Sequence, residues 1–87
     1  MITLNFNAHF IPFLEMLEIA NIAHTVKVCG DGGMKIVFND GSDVALNRNT
    51  YGHSSGLLEG YNGKFITEYD SVTGYMTAQQ AFELLTK

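Results

Sequence analysis

The dipeptide Asp40-Gly41 constrains the fold more than any other feature of this sequence. It separates two runs of alternating residues, "MKIVFN" before it and "SDVALNR" after it. A two-residue hairpin turn needs positive φ, which Asp-Gly supplies readily. A further alternating run, "HTVKVC", precedes the turn-like "GDGG". The pattern therefore predicts an antiparallel meander of three strands.

Alternation in these runs also predicts which side chains share a face of the sheet. In the central strand, Met34, Ile36 and Phe38 point one way. The members expected to join them from the flanking strands are Val26, Val28, Val44 and Leu46. One face of the sheet is thus apolar, as expected when helices cover one side only.

Helical patterns lie on either side of this meander. Apolar residues recur at helical spacing in "FIPFLEMLEIANI", with Pro12 suited to the first turn and Asn21 suited to the end. Near the end of the sequence, Thr77 and Gln80 have the spacing of a capping box. This predicts a second helix over residues 78–86, which is short and must be stabilised by docking.

Between the meander and the last helix, residues 47–63 are predicted to form a long irregular connection. A short strand at residues 57–59 and another at 64–69, "KFITEY", are candidates to extend the sheet. The fold class predicted is α+β: an antiparallel three- to four-stranded sheet with the N- and C-terminal helices packed on one face. The 87 residues form a single domain, 1–87, in this interpretation.

Charge and cysteine content exclude several classes of function. The net charge is −4, and the five basic residues are scattered rather than clustered, which argues against a nucleic-acid partner. Cys29 is the only cysteine, so no internal disulfide forms and a reducing cytoplasm is expected. No apolar run approaches the length of a membrane span, so no membrane partner is expected.

Residues 52–56, "GHSSG", spell the G-x-S-x-G pattern of serine hydrolases. A serine nucleophile needs a base and a group that orients it, and in that fold class the histidine follows the serine in the chain. No histidine follows Ser54. A hydrolase at Ser54 is therefore only a remote alternative, and the motif is interpreted as a Gly/Ser-rich turn in a protein that is not an enzyme.

Metal and phosphate motifs are incomplete. "NDGSD" resembles half a calcium loop, but Tyr51 stands where the pattern needs a glutamate. "GDGG" lacks the lysine and the following helix of a phosphate loop. Both are better explained as turns, so we expect no metal, no cofactor and no catalytic residues.

The connection over residues 50–61, "TYGHSSGLLEGY", concentrates aromatic and polar groups. Long loops of this kind often carry binding. The candidate partner-binding residues are Tyr51, His53, Leu57, Glu59 and Tyr61. Two interpretations stay open: a recognition surface, or a segment that only closes the core.

Two blocks, "YGHSSGLLEGY" and "YDSVTGYMTAQQAFELL", resemble small accessory proteins encoded by tailed bacteriophages. The matching positions are Tyr51, Gly52, Gly56, Leu57, Glu59, Asp70, Val72, Gly74, Tyr75, Thr77 and Ala78. The sequence departs from the pattern at Met76 and Gln79, where leucine and glutamate are expected. The resemblance covers about the last forty residues and implies no catalytic residue.

This resemblance favours a small non-enzymatic protein that binds, and in one version inhibits, a host protein or defence system in the bacterial cytoplasm. The alternative is a small-molecule or nucleotide-binding module, with Tyr51, His53 and Tyr61 around a base. A homodimer is a further expectation, because exposed sheet edges pair readily.

Overall fold

The structure is a computed structural model that describes residues 3–87; Met1 and Ile2 lie outside the described residues. Its elements are helix α1 (Phe10–Ile19), strands β1 (Thr25–Val28), β2 (Met34–Val37), β3 (Asp43–Leu46), β4 (Leu58–Tyr61) and β5 (Val72–Met76), and helix α2 (Ala78–Leu85). The strands form one antiparallel sheet in the order β1-β2-β3-β4-β5. The α+β class is confirmed, but the prediction of three to four strands was wrong because the sheet has five.

The error arises from the segment after β4. The strand expected at residues 64–69 is absent: Gly63–Phe65 forms a 3₁₀ turn whose Phe65 is buried. The strand lies later, in β5, where Gly74 lowers strand propensity and Tyr75 has a positive φ of 57°. The β4–β5 register also shifts between Leu58 and Gly60. These irregularities conceal β5 from a search for alternating residues.

The predicted meander is confirmed in β1, β2 and β3. The connecting turn has three residues, Asn39 to Gly41, rather than the two predicted: the Phe38 N–H donates to the carbonyl oxygen of Ser42 at 3.0 Å, and Gly41 has φ 90°. The pairing places Ile36 opposite Val44. "GDGG" is a turn as well, in which the Cys29 N–H donates to the Gly33 carbonyl oxygen at 2.8 Å.

Burial follows the predicted apolar face except in β1. Val26 and Val28 pair with Ile36 and Met34, so they do share that face. Val28 is nevertheless 77% exposed and Val26 is exposed too. The two valines are exposed because β1 is the outer strand and the described core begins at β2.

The hydrophobic core combines both helices with β2 to β5. Helix α1 contributes Phe10, Phe13 and Leu17 at helical spacing, and the ring of Phe13 meets that of Phe38 edge-on at 6.3 Å. The sheet, the residue after β2, the 3₁₀ turn and α2 supply the other members: Ile36, Phe38, Val44, Leu46, Leu58, Phe65, Met76, Ala78, Ala81 and Leu85. Asn21, with φ 57°, follows α1 as predicted. The packing of both helices on one face stays a prediction.

The N-terminus of α2 is capped twice. The Thr77 hydroxyl accepts from the Gln80 N–H at 3.2 Å, and the Gln80 side-chain oxygen accepts from the Thr77 N–H at 2.9 Å. The capping box is therefore confirmed. In addition, His9 Nδ1 accepts from the Ala78 N–H at 3.1 Å, which ties the start of α1 to the start of α2.

Within residues 3–87, no helix is long and apolar enough to cross a membrane.

Candidate functional site

The exposed pair Tyr51 and Tyr75 is the centre of the candidate site. Their rings stack with centroids 5.9 Å apart and planes 17° from parallel. Tyr51 is 57% exposed and Tyr75 is 63% exposed. Tyr51 belongs to the predicted set of binding residues, and the structure adds Tyr75 from β5 as its partner. We call these two residues the tyrosine pair.

Backbone conformation at Tyr75 is unusual for its side chain. A φ of 57° is left-handed, and a non-glycine residue held there costs about 1–2 kcal/mol. The peptide geometry is maintained by the Tyr75 N–H, which donates to the carbonyl oxygen of Tyr51 at 3.3 Å. The chain thus accepts local strain to hold an aromatic ring at the surface.

Glu59 holds Tyr51 in place through a hydrogen bond. The Tyr51 N–H donates to Glu59 Oε2 at 2.7 Å, and Glu59 is only 8% exposed. A hydrogen bond to a charged acceptor in a sheltered position contributes about 1.5–3 kcal/mol. Glu59, predicted as a binding residue, is therefore placed to fix the position of Tyr51 rather than to offer its carboxylate to solvent.

Gly74 leaves the room that Tyr51 needs. A Cβ at position 74 would lie 2.6 Å from the Cβ of Tyr51, closer than such atoms approach in real proteins. Any other residue at Gly74 would push the Tyr51 ring away from Tyr75. The "GY" dipeptide before the capping box is a local signal for this arrangement, although no pattern in the sequence connects it with Tyr51.

His53 and Leu57 occupy less exposed positions in the same connection. His53 begins a 3₁₀ turn, His53–Ser55, and its Nδ1 lies 2.8 Å from the Thr50 carbonyl oxygen, which can only accept. Nδ1 therefore carries the proton, and the ring is oriented by Thr50. Leu57 is half-buried.

The geometry around Ser54 differs from a nucleophile elbow. Ser54 is exposed in the middle of a short 3₁₀ turn, whereas the elbow places its serine between a strand and a helix. Among residues 3–87, no hydrogen bond links Ser54 to the ring of His53. The interpretation of residues 52–56 as a turn agrees with this geometry.

Tyr61 lies apart from the tyrosine pair, at the other end of β4, where it pairs with Asp43 and Val72. Burial raises the pKa of Tyr61 to about 12, and the negative charge of Glu59 adds to the shift. The three residues expected around a nucleotide base are thus spread along the connection and β4, with His53 turned to the backbone of Thr50.

A cavity of about 490 Å³ adjoins Tyr75 on the side of α2. Its lining residues are Thr73, Gly74, Tyr75 and Met76 of β5, with Gln80, Glu83, Leu84 and Lys87 of α2 and the residues after it. We call it the β5–α2 groove. The sequence predicted Tyr51, His53 and Tyr61 around a bound base, whereas no residue of the connection over residues 50–61 lines this groove.

Acidic side chains in the turns accept hydrogen bonds from backbone N–H groups. The Gly33 N–H, a donor to Asp31 Oδ1 at 3.0 Å, holds the pKa of that carboxyl below its usual value. The Ser42 N–H does the same to the pKa of Asp40, at 2.8 Å. No three His, Cys, Asp or Glu side chains within the described part of the chain lie close enough together to hold a metal ion.

Comparison of the chain with protein-family models, with curated proteins and with solved structures found no match. The phage resemblance therefore stays a prediction from the sequence, and the surface geometry carries the functional argument.

Proposed function

We propose that this chain is a small non-enzymatic accessory protein of phage type that binds a host protein through a surface centred on the tyrosine pair. Inhibition of that host protein or defence system is the outcome we expect of binding. The proposal places the protein in the bacterial cytoplasm and assumes that both helices cover the core-facing side of the sheet.

The exposed stack of Tyr51 on Tyr75 is the observation that supports this proposal best. Tyrosine is enriched among the residues that contribute most to protein interfaces, because its rigid ring offers both apolar area and a hydroxyl group. Two tyrosines more than half exposed, in contact, form an apolar patch that solvent alone does not favour.

Strain and support at this patch add to the argument. Left-handed backbone at a non-glycine residue is costly and tends to occur where function requires it. Tyr75 has such a backbone, and the buried carboxylate of Glu59 is committed to the Tyr51 N–H. These features fix the two rings before a partner arrives, which lowers the entropic cost of binding.

The test is a pull-down from bacterial lysate with tagged protein, read by mass spectrometry. We expect one dominant host protein with the wild type and its loss with Tyr51→Ala/Tyr75→Ala. Tyr69→Ala is the matched control, because Tyr69 is 91% exposed and stands alone in the turn before β5. Circular dichroism checks that each variant is folded.

Two outcomes would contradict the proposal. A host protein captured equally well by the folded double variant would remove the tyrosine pair from the contact surface. Repeated failure of the wild type to capture any single protein would argue against a host-protein partner altogether.

The alternative proposal, a small-molecule or nucleotide-binding module, is supported by the β5–α2 groove. Its volume of about 490 Å³ lies in the usual range for ligand pockets, about 300–1,000 Å³. Lys87 is the single cation of its lining, which is little for a phosphate group. A thermal-shift titration with millimolar ATP, GTP and free nucleosides tests it; no shift in the unfolding temperature would count against it.

A further inference from the structure

We propose that the β5–α2 groove binds an extended segment of the partner protein, which adds to β5 as a sixth strand. This inference rests on the proposed function and specifies the chemistry of the partner. It follows from the nature of the two walls of the groove, from the free edge of β5 and from the charges that line the groove.

The walls of the groove combine a strand and one face of a helix. One wall consists of four consecutive residues of β5, 73 to 76. The other wall consists of Gln80, Glu83, Leu84 and Lys87. The spacing of three and four residues places Gln80, Glu83 and Leu84 on a single face of α2, and Lys87 follows the end of the helix. A groove between an edge strand and a helix is a shape that accepts an extended peptide.

Strand β5 is the last in the sheet order, so one of its edges has no neighbouring strand within residues 3–87. The Asn62 N–H donates to the Ser71 carbonyl oxygen at 3.0 Å, and Thr73 pairs with Gly60. Since successive residues of an antiparallel strand direct their backbone groups to opposite edges, Val72 and Gly74 direct theirs to the free edge. Extended backbone of a partner satisfies such groups.

The lining indicates the side chains of the bound segment. Met76 and Leu84 supply apolar surface, and Tyr75 forms part of the same wall. Glu83 and Lys87 contribute one charge of each sign, and Glu83 already accepts from the Gln79 side chain at 3.0 Å. The groove thus attracts no net charge. Every second side chain of an extended segment faces the groove, and we expect those to be apolar and uncharged.

The positive φ at Tyr75 and the register shift limit how far the added strand pairs. Regular pairing of β5 with β4 ends at Thr73, and Tyr75 has a positive φ, so we expect hydrogen bonds to the added strand along residues 72–74 only. Beyond that point the segment lies against α2 and the ring of Tyr75. The opposite edge, β1, is less suited to strand addition because Lys27 lies in its middle, and a charge there opposes pairing with another chain.

The experiment begins with a displayed library of random short peptides, selected against the tagged wild-type protein. The selected peptide is then synthesised and titrated into isotope-labelled protein. We expect amide shifts and slowed hydrogen exchange at Val72 and Gly74, with Val28 of β1 unchanged. Methylation of the peptide's backbone nitrogens, one at a time, should weaken binding about tenfold at every second residue only.

Glu83→Trp is the blocking variant, because an indole at this exposed position fills the groove without replacing a core residue. Glu18→Trp is its matched control on the exposed side of α1. We expect Glu83→Trp to abolish peptide binding and Glu18→Trp to leave it intact. Shifts centred on β1, or a methylation profile without two-residue periodicity, would overturn the proposal, as would the absence of any selected peptide.

The same reagents separate this inference from the proposed function. A host protein that Glu83→Trp still captures would overturn the groove as its docking site and leave the tyrosine pair in place. A peptide that binds the groove with the expected periodicity, in a protein that captures no host partner, would support strand addition and remove the host-protein proposal.

Discussion

The two outer strands of the sheet, β1 and β5, differ in almost every respect. All four residues of β1 are exposed, and Lys27 stands between two valines. Strand β5 ends in the buried Met76, bends at Tyr75 and packs its Gly74 against Tyr51. Helix α2 follows it directly and forms the second wall of the groove.

This difference shows two ways in which a small sheet treats an exposed edge. A charged residue in the strand discourages pairing at little structural cost, which is the arrangement in β1. In β5, by contrast, backbone strain and close packing hold the surface in a defined shape. We infer that β5 and its surroundings carry both the recognition surface and more of the stability than β1 does.

The largest difference in the free energy of unfolding should come from replacing one apolar side chain beside β4 and one in β1. Phe65 is buried beside β4, where its ring contacts Gly60, so Phe65→Ala should lower the free energy of unfolding by about 3–5 kcal/mol. Val28→Ala, on exposed β1, should change it by less than about 0.5 kcal/mol. Urea unfolding measures both. Equal losses would contradict a larger contribution to stability from the core beside β4 and β5 than from β1.

Replacing a glycine with alanine should give a smaller difference in stability between the β5 side and the β1 side of the sheet. Gly74→Ala forces the Cβ atom towards Tyr51, so we expect a loss of about 1–3 kcal/mol and weaker partner capture. Gly30→Ala, in the turn after β1, meets nothing within 4 Å and should shift stability by less than about 0.5 kcal/mol. If Gly74→Ala is as stable as the wild type, the packing of Tyr51 on β5 is looser than the structure indicates.

The smallest expected effect is a pH dependence near β5. The pKa of Tyr61 is raised from 10.0 to about 12 in the folded state, so the folded protein holds this proton more tightly than the unfolded chain. Its contribution is complete below about pH 10 and is lost as the pH rises through about 12. Urea midpoints across this range should fall, and Tyr61→Phe should flatten that fall.

Tyr69→Phe is the control for this measurement, because Tyr69 is almost fully exposed. If Tyr69→Phe flattens the alkaline fall as much as Tyr61→Phe does, burial of the Tyr61 hydroxyl is not its cause. The ultraviolet absorbance of tyrosinate, followed in the same samples, identifies the pH at which each variant loses its proton.

The regular half of the fold could be predicted from the sequence, and the irregular half could not. Asp40-Gly41 and Thr77 with Gln80 act through local backbone chemistry, so their positions alone predicted the hairpin and the start of α2. Strand β5 depends on contacts that are distant in sequence: Gly74 with Tyr51, and Tyr75 with Tyr51. No local pattern encodes such contacts, so both the strand and half of the tyrosine pair were missed.

The candidate site shows the same division. Tyr51 was predicted from the concentration of aromatic residues in its loop, and the structure places it at the surface. The buried carboxylate of Glu59 serves Tyr51 through a hydrogen bond that only the fold brings about. Alternation predicted the face that Val26 and Val28 share with β2, but it does not predict how far a helix covers that face, and both valines are exposed.

The hydrogen bond from Ala78 to His9 joins groups 69 residues apart in the chain. Helix α2 has eight residues and is too short to persist by itself. During synthesis, residue 9 therefore waits for residue 78 to leave the ribosome before the two helix starts can meet. Closing so long a loop carries a large entropic cost and slows folding. The order of translation thus completes β5, which ends at Met76, only just before the two helix starts can meet.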